Sequence, residues 1–161
     1  MRHILSVLVE NKSGVLSRVT GMISRRGFNI DSLTVAPTED ETLSRMTIIV
    51  DAEPMGFEQI TKQLHKLVSV FKVSDLTDTD TVERELVLFK VLATPERRHE
   101  VIEIADLFRA KVVDVGKNTL TVEATGASSK LDALEDLFRG YGIKQLTRTG
   151  KIAMSRGSHD N

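Results

Sequence analysis

Seven consecutive residues, Glu10-Asn11-Lys12-Ser13-Gly14-Val15-Leu16, concentrate the groups in this sequence that could act on a small ligand. An apolar run, Ile4 to Val9, precedes them and a helix-period run starts at Val15, so they read as a strand-to-helix turn. Asn11 and Ser13 offer side-chain oxygens to the free N–H groups of the first helical turn. Gly14 puts no side chain at the helix mouth. An open helix N-terminus presents amide donors and the positive end of the dipole, which suits a carboxylate. A capped helix start with a turn glycine is the plainer account of the same residues. What favours a binding role is the rest of the chain.

Other chemistries find no constellation. A nucleophilic triad needs a base beside a serine, whereas His3, His65, His99 and His159 lie at a chain end, on helices or in the tail. Metal-ligand spacings, a Gly-x-Gly-x-x-Gly turn and a phosphate loop are absent, so no catalytic residue and no metal ligand is assigned. The acid pairs Asp75/Asp78 and Glu83/Glu85 fall in or near a polar linker and read as solvated. The chain has no cysteine, which excludes disulfides and thiolate metal sites and permits a reducing cytoplasm, the expected location. With 161 residues, 40% apolar and 28% charged, the sequence fits a soluble globular protein of one domain or two small ones. A net charge of -1 lacks the basic footprint of a nucleic-acid binder. No apolar run approaches the about 20 residues of a membrane helix, and the N-terminus lacks the h-region and cleavage site of a signal peptide.

The framework around the turn is legible from hydrophobic periodicity. Ile4 to Val9 is apolar on both pleat faces. Val15, Val19, Met22 and Ile23 fall at helical spacing, and Gly27 is a stop. Phe28 to Ala36 reads as a second strand ended by Pro37, Thr38 to Thr42 as an acidic turn, and Leu43 to Val50 as a third strand. Pro54 opens a helix whose inward stripe is Phe57, Ile60, Leu64, Leu67 and Val68, and Val70 to Leu76 is a fourth strand.

The same order returns after a polar stretch. Glu85 to Ala93 is a strand, and Thr94-Pro95-Glu96 starts a helix lined by Val101, Ile104, Ala105 and Phe108. Lys111 to Val115 and Thr119 to Ala124 pair across Gly116-Lys117-Asn118. Ser128-Ser129 caps a helix with Leu131, Leu134, Leu137 and Phe138 inward, and Ile143 to Met154 is a last strand interrupted at Gly150. The fold class is therefore α+β, two tandem β-α-β-β-α-β ferredoxin-like sandwiches offset by roughly 80 residues. Residues 1–77 form the first domain, 78–83 the linker, 84–155 the second domain and 156–161 a flexible tail. RNA-recognition modules share this order but stack bases on aromatics of the two central strands. Neither Ile4 to Val9 nor Leu43 to Val50 holds one, and Phe89 is the only aromatic in either central strand of the second repeat.

A small-ligand module remains. The first helix ends beside the start of the second strand, so Asn29 and Ile30 should lie at the opposite end of their own domain from Gly14. A neighbour related by two-fold symmetry brings them together if the second strands pair edge to edge. The shared pocket would hold backbone donors of Gly14, Val15 and Leu16, the neutral amides of Asn11 and Asn29, and aliphatic walls from Val15, Leu16 and Ile30. Such a site matches a zwitterion: the amides take the ammonium and the helix mouth takes the carboxylate. The plainer account of Asn29 is a turn residue after Gly27.

These residues also carry a family resemblance. The blocks LSVLVENKSGVLSRV (5–19), RGFNIDSLTVA (26–36) and LSRMT (43–47), continued by KQLHKLV (62–68) and VEREL (82–86), are similar to the small regulatory subunits of acetolactate synthase. The resemblance spans nearly the whole chain. It implies an N-terminal ACT domain, a C-terminal ferredoxin-like domain, and a homodimer that binds and activates a large catalytic subunit. It further implies that thiamine diphosphate, FAD and magnesium belong to that partner, with no cofactor in this chain. Valine is the implied feedback inhibitor, with contacts falling on Asn11, Gly14, Val15 and Leu16 of one chain and Asn29 and Ile30 of the other. A free-standing amino-acid sensor acting on another enzyme is the alternative.

Overall fold

Alternation along β1 (Arg2–Glu10) decides which side of the first sheet is buried. His3, Leu5, Val7 and Val9 are all buried. They stand in register with Val50, Ile48, Met46 and Ser44 of the antiparallel strand β3 (Leu43–Asp51). Residues opposite one another share a pleat face, so one side of the sheet becomes a continuous apolar floor. Two helices cover it: α1 (Val15–Arg25) through Val15, Val19, Met22 and Ile23, and α2 (Pro54–His65) through Phe57, Ile60 and Leu64. Strands β2 (Asn29–Pro37) and β4 (Val70–Asp75) are the edges, giving the order β2-β3-β1-β4.

The computed structural model describes residues 1–157 and divides into two units, Met1–Val82 with the segment from Gly150 onward, and Glu83–Thr149. Strand β5 (Thr81–Leu92) leads into the second unit, where the order repeats. Helix α3 (Arg98–Leu107), strands β6 (Lys111–Val115) and β7 (Thr119–Gly126), helix α4 (Ser128–Arg139) and strand β8 (Ile143–Arg148) come next along the chain. The sheet order is β6-β7-β5-β8. The second core gathers Phe89, Val122, Leu131, Leu134 and Phe138, with the Phe89 and Phe138 rings edge to face at 5.4 Å. Both units thus have the expected β-α-β-β-α-β order. Full burial stabilises such side chains by about 1.5–3 kcal/mol each.

Several boundaries differ from those the periodicity predicts, each for a local reason. Helix α2 ends at His65, so Val68 leaves the inward stripe and is 93% exposed, while Leu67 stays packed against the core. Leu137 is likewise 47% exposed, because Leu134 and Phe138 already fill the inner face of α4. Thr94 and Pro95 do not open α3. They form a turn closed by the Arg97 N–H on the Thr94 carbonyl, and the helix begins at Arg98. Ser128 does not cap α4; its hydroxyl donates to Glu85, which also binds Arg148.

The last strand does break near Gly150, but the chain beyond the break belongs with the first unit. Strand β9 (Ile152–Ser155) lies in that returning segment and pairs with β5. The second domain was expected to run over 84–155, whereas the second unit stops at Thr149. The Lys151 N–H donates to Ser32 Oγ at 3.0 Å, and the Arg156 N–H donates to the Asp80 carbonyl at 2.9 Å. Most of the expected flexible tail, from residue 158, lies outside the described residues.

Candidate ligand-binding site

The turn between β1 and α1 is built by hydrogen bonds that leave the helix mouth open. The Lys12 N–H donates to the Glu10 carbonyl at 3.0 Å, and the Arg18 N–H donates to the Gly14 carbonyl at 3.0 Å. Gly14 stands at the N-cap with φ +86° and ψ -16°, left-handed, and no side chain caps the helix. The backbone N–H groups of Leu16 and Ser17 find no acceptor among the described residues. They point along the axis at the positive end of the helix dipole.

This corrects the expectation that Asn11 and Ser13 cap α1. A side-chain cap needs an extended residue carrying an oxygen at the N-cap. Here that position is a left-handed glycine. Asn11 instead turns away: its Nδ2 donates to the Glu41 carbonyl at 2.9 Å, and its backbone N–H donates to the Thr42 carbonyl at 2.8 Å. The acidic turn that receives it is itself fixed. The Thr42 hydroxyl and N–H donate to the Asp40 carboxylate at 2.7 and 3.0 Å, and these two bonds hold the Asp40 pKa below the ordinary aspartate value.

Asn29 and Ile30 lie at the other end of the sheet. Asn29 pairs with Asp51 and Pro37 with Ser44, so β2 starts at the far end and runs toward the turn that holds Asn11. The eight-residue step from Asn29 to Pro37 spans about 26 Å at about 3.3 Å per residue. The six residues therefore form two groups within one chain, and a free amino acid cannot bridge them. The Asn29 Nδ2 donates to Asp31 Oδ1 at 2.9 Å, and Asp31 in turn binds Arg2 at 3.1 Å.

The chemistry of the two groups is complementary. Each asparagine spends an N–H on an internal acceptor, which leaves its carbonyl oxygen as an acceptor for an ammonium. The Leu16 and Ser17 amides suit a carboxylate. Lys12 is paired with Glu10 at 3.6 Å. Of the aliphatic residues, Leu16 is 42% exposed and Ile30 is half-buried, while the Val15 side chain is in the core. Sequence reasoning missed the orienting groups, the Glu41 carbonyl and Asp31. Only the Asn29-x-Asp31 spacing could have signalled either.

The histidines do not assemble a site. His3 is buried, stacks on Phe57 with ring centroids 3.9 Å apart, and its Nε2 donates to the Ala52 carbonyl at 3.1 Å. His65 and His99 are exposed, and His159 lies outside the described residues. Among the described residues, no group of three or more His, Cys, Asp or Glu is placed to hold a metal, and no helix is long and apolar enough to cross a membrane.

Comparison with known proteins points to one family. Residues 84–157 match the family model described as the small subunit of acetolactate synthase, and residues 5–72 match that of the AHAS small subunit-like ACT domain. A probable acetolactate synthase small subunit of Archaeoglobus fulgidus is 53% identical over 158 residues, 98% of this chain and 99% of that protein. The acetolactate synthase small subunit of Mycolicibacterium smegmatis is 52% identical over 155 residues, covering 96% and 92% of the two chains. The crystal structure of the acetolactate synthase small subunit from Thermotoga maritima superposes with a TM-score of 0.89 at 40% identity, covering 99% of each chain.

Proposed function

Since the chain belongs to the family of acetolactate synthase small subunits, carrying its ACT domain, we propose that it binds valine between two copies of itself and transmits that binding to the catalytic large subunit. The chain activates the large subunit and confers feedback inhibition by the end product of branched-chain amino acid synthesis. Thiamine diphosphate, FAD and magnesium reside in the large subunit, and both chains work in the cytoplasm.

One observation supports the reading: the two groups of residues that could share a zwitterion lie at opposite ends of an edge strand. When two β2 edges pair antiparallel about a two-fold axis, Asn29 and Ile30 of one copy meet the Pro37 end of the other. Asn11 is hydrogen-bonded to residues 41 and 42, just past that end. The ligand carboxylate then faces the amides of Leu16 and Ser17. The ammonium faces the two asparagine oxygens, and the isopropyl group rests between Leu16 and Ile30. A methylene more or less in such a pocket is worth about 1–3 kcal/mol, so leucine and isoleucine compete weakly.

Inhibition is then a matter of linkage. Valine favours one arrangement of the paired ACT domains, and the large subunit binds the two arrangements unequally, a coupling of about 1–3 kcal/mol in typical cases. Calorimetric titration with valine tests the site. Asn29→Ala removes one acceptor for a charged donor and should weaken binding by about tenfold or more. Binding at the parental affinity would remove Asn29 from the site.

A further inference from the structure

The edge of the first sheet opposite β2 carries a second feature that valine binding does not use. Residues Leu67 to Val70, between α2 and β4, close a cavity of about 250 Å³ against Val15 and Val19 of α1. Two large apolar side chains at this edge are exposed. Val68 is 93% exposed and Phe71 is 58% exposed. Phe71 is the extra residue of a β-bulge, since Val70 pairs with Val9 and Lys72 with Leu8, the next residue along β1. A bulge on an edge strand re-aims one side chain, here a large aromatic, and two large apolar side chains exposed three positions apart at one sheet edge suit an interaction site.

The charged residues lining it share one sign. Lys66 and Arg18 line the cavity, and Lys72, paired with Leu8, stands on the other pleat face of the same edge. Neither lysine has an acidic partner among the described residues, and the Arg18 guanidinium reaches only the Ser69 hydroxyl, at 3.4 Å. In a chain of 22 basic and 23 acidic residues, two uncompensated cations lining an apolar depression and a third on the same sheet edge are a local excess. We propose that this face, with Val68 and Phe71 as anchors and Arg18, Lys66 and Lys72 as rim, docks an apolar segment of the large subunit flanked by acidic side chains. Aromatic anchors in a desolvated centre supply affinity, and a charged rim supplies orientation and association rate.

The inference rests on the proposed regulatory role and adds a route for it. Helix α1 carries both sites in its first two turns. The Leu16 and Ser17 amides face the effector, while Val15, Arg18 and Val19 face the docking cavity. A ligand that shifts the helix start therefore alters the wall against which the large subunit packs.

The test uses the full-length chain, the purified large subunit and valine. Val68→Asp with Phe71→Asp should weaken the complex by about tenfold or more, with the valine titration and thermal melting unchanged. Lys66→Glu with Lys72→Glu should slow association and flatten its dependence on salt. Parental affinity for the large subunit in the Val68/Phe71 variant overturns the proposal. If those aspartates prevent folding, the lysine variant decides it, and an unchanged association rate overturns it. Failure of the unmodified chain to bind the large subunit instead overturns the regulatory role itself, and this surface with it.

Discussion

At Gly14 the backbone turns with φ +86°, a conformation that costs an L residue about 1–2 kcal/mol. A β-carbon placed there meets nothing within 4 Å, so the cost is conformational and not steric. Two substitutions then separate backbone from ligand chemistry. Gly14→Ala should lower stability by about 1 kcal/mol and leave much of the valine response intact. Gly14→Asp adds a carboxylate at the mouth, where the ligand's own must sit, and should abolish the response in a chain that still folds and activates the large subunit. Melting curves and valine inhibition, measured on both, check this; full sensitivity in the Asp variant would refute the site. The glycine and both asparagines were legible in the sequence, because their chemistry is intrinsic to residue type. Their orientation was not. Asn11 is aimed by the Glu41 carbonyl, 30 positions away, and nothing local encodes that bond.

The acidic turn between β2 and β3 is the element that holds Asn11, and its own hold depends on pH. Thr42 donates twice to the Asp40 carboxylate, which lowers its pKa in the folded chain. A carboxylate with a lowered folded pKa contributes stability above its unfolded value, about 3.9, and loses it as pH falls through the folded value. Asp40→Asn should therefore be less stable than the parent at neutral pH, and the difference should vanish in acid below that window. Denaturation midpoints across pH measure it; a difference that persists unchanged in strong acid would show that the carboxylate charge is not what matters. Elements of this kind were legible wherever periodicity was strong, as in α1, whose four inward residues are all buried as expected. Ends were not, because they are set by contacts outside the element. Arg98 donates to the carbonyls of Gly116 and Lys117, fixing a helix start that Thr94-Pro95 alone would place earlier.

Across the whole molecule the chain leaves the first unit at Val82 and rejoins it at Gly150, so the second unit is an insertion in the first. The two repeats were legible because each carries its own hydrophobic period. The return was not, because a short alternating run such as Ile152–Ser155 suits an edge in either unit. β9 pairs with β5, and the chain reaches it through a close approach at Gly150. A β-carbon there would stand 2.8 Å from the Leu33 carbonyl oxygen and from Ser32 Oγ, and would overlap Thr34 Oγ1. Backbone cannot yield as a flexible side chain can, so only glycine lies flat on β2. Gly150→Val should lift residues 150 and 151 from that strand, free the Lys151 N–H from Ser32 and lower the stability of the first unit by about 1–3 kcal/mol. Hydrogen exchange reads this site by site. The Lys151 amide should lose protection, while the amides of β5 and β7 around Phe89 and Val122 keep theirs. Because β2 also carries Asn29 and Ile30, the same variant should weaken valine binding at a site that Gly150 does not line. Unaltered Lys151 protection would mean that the segment is held by something other than this contact.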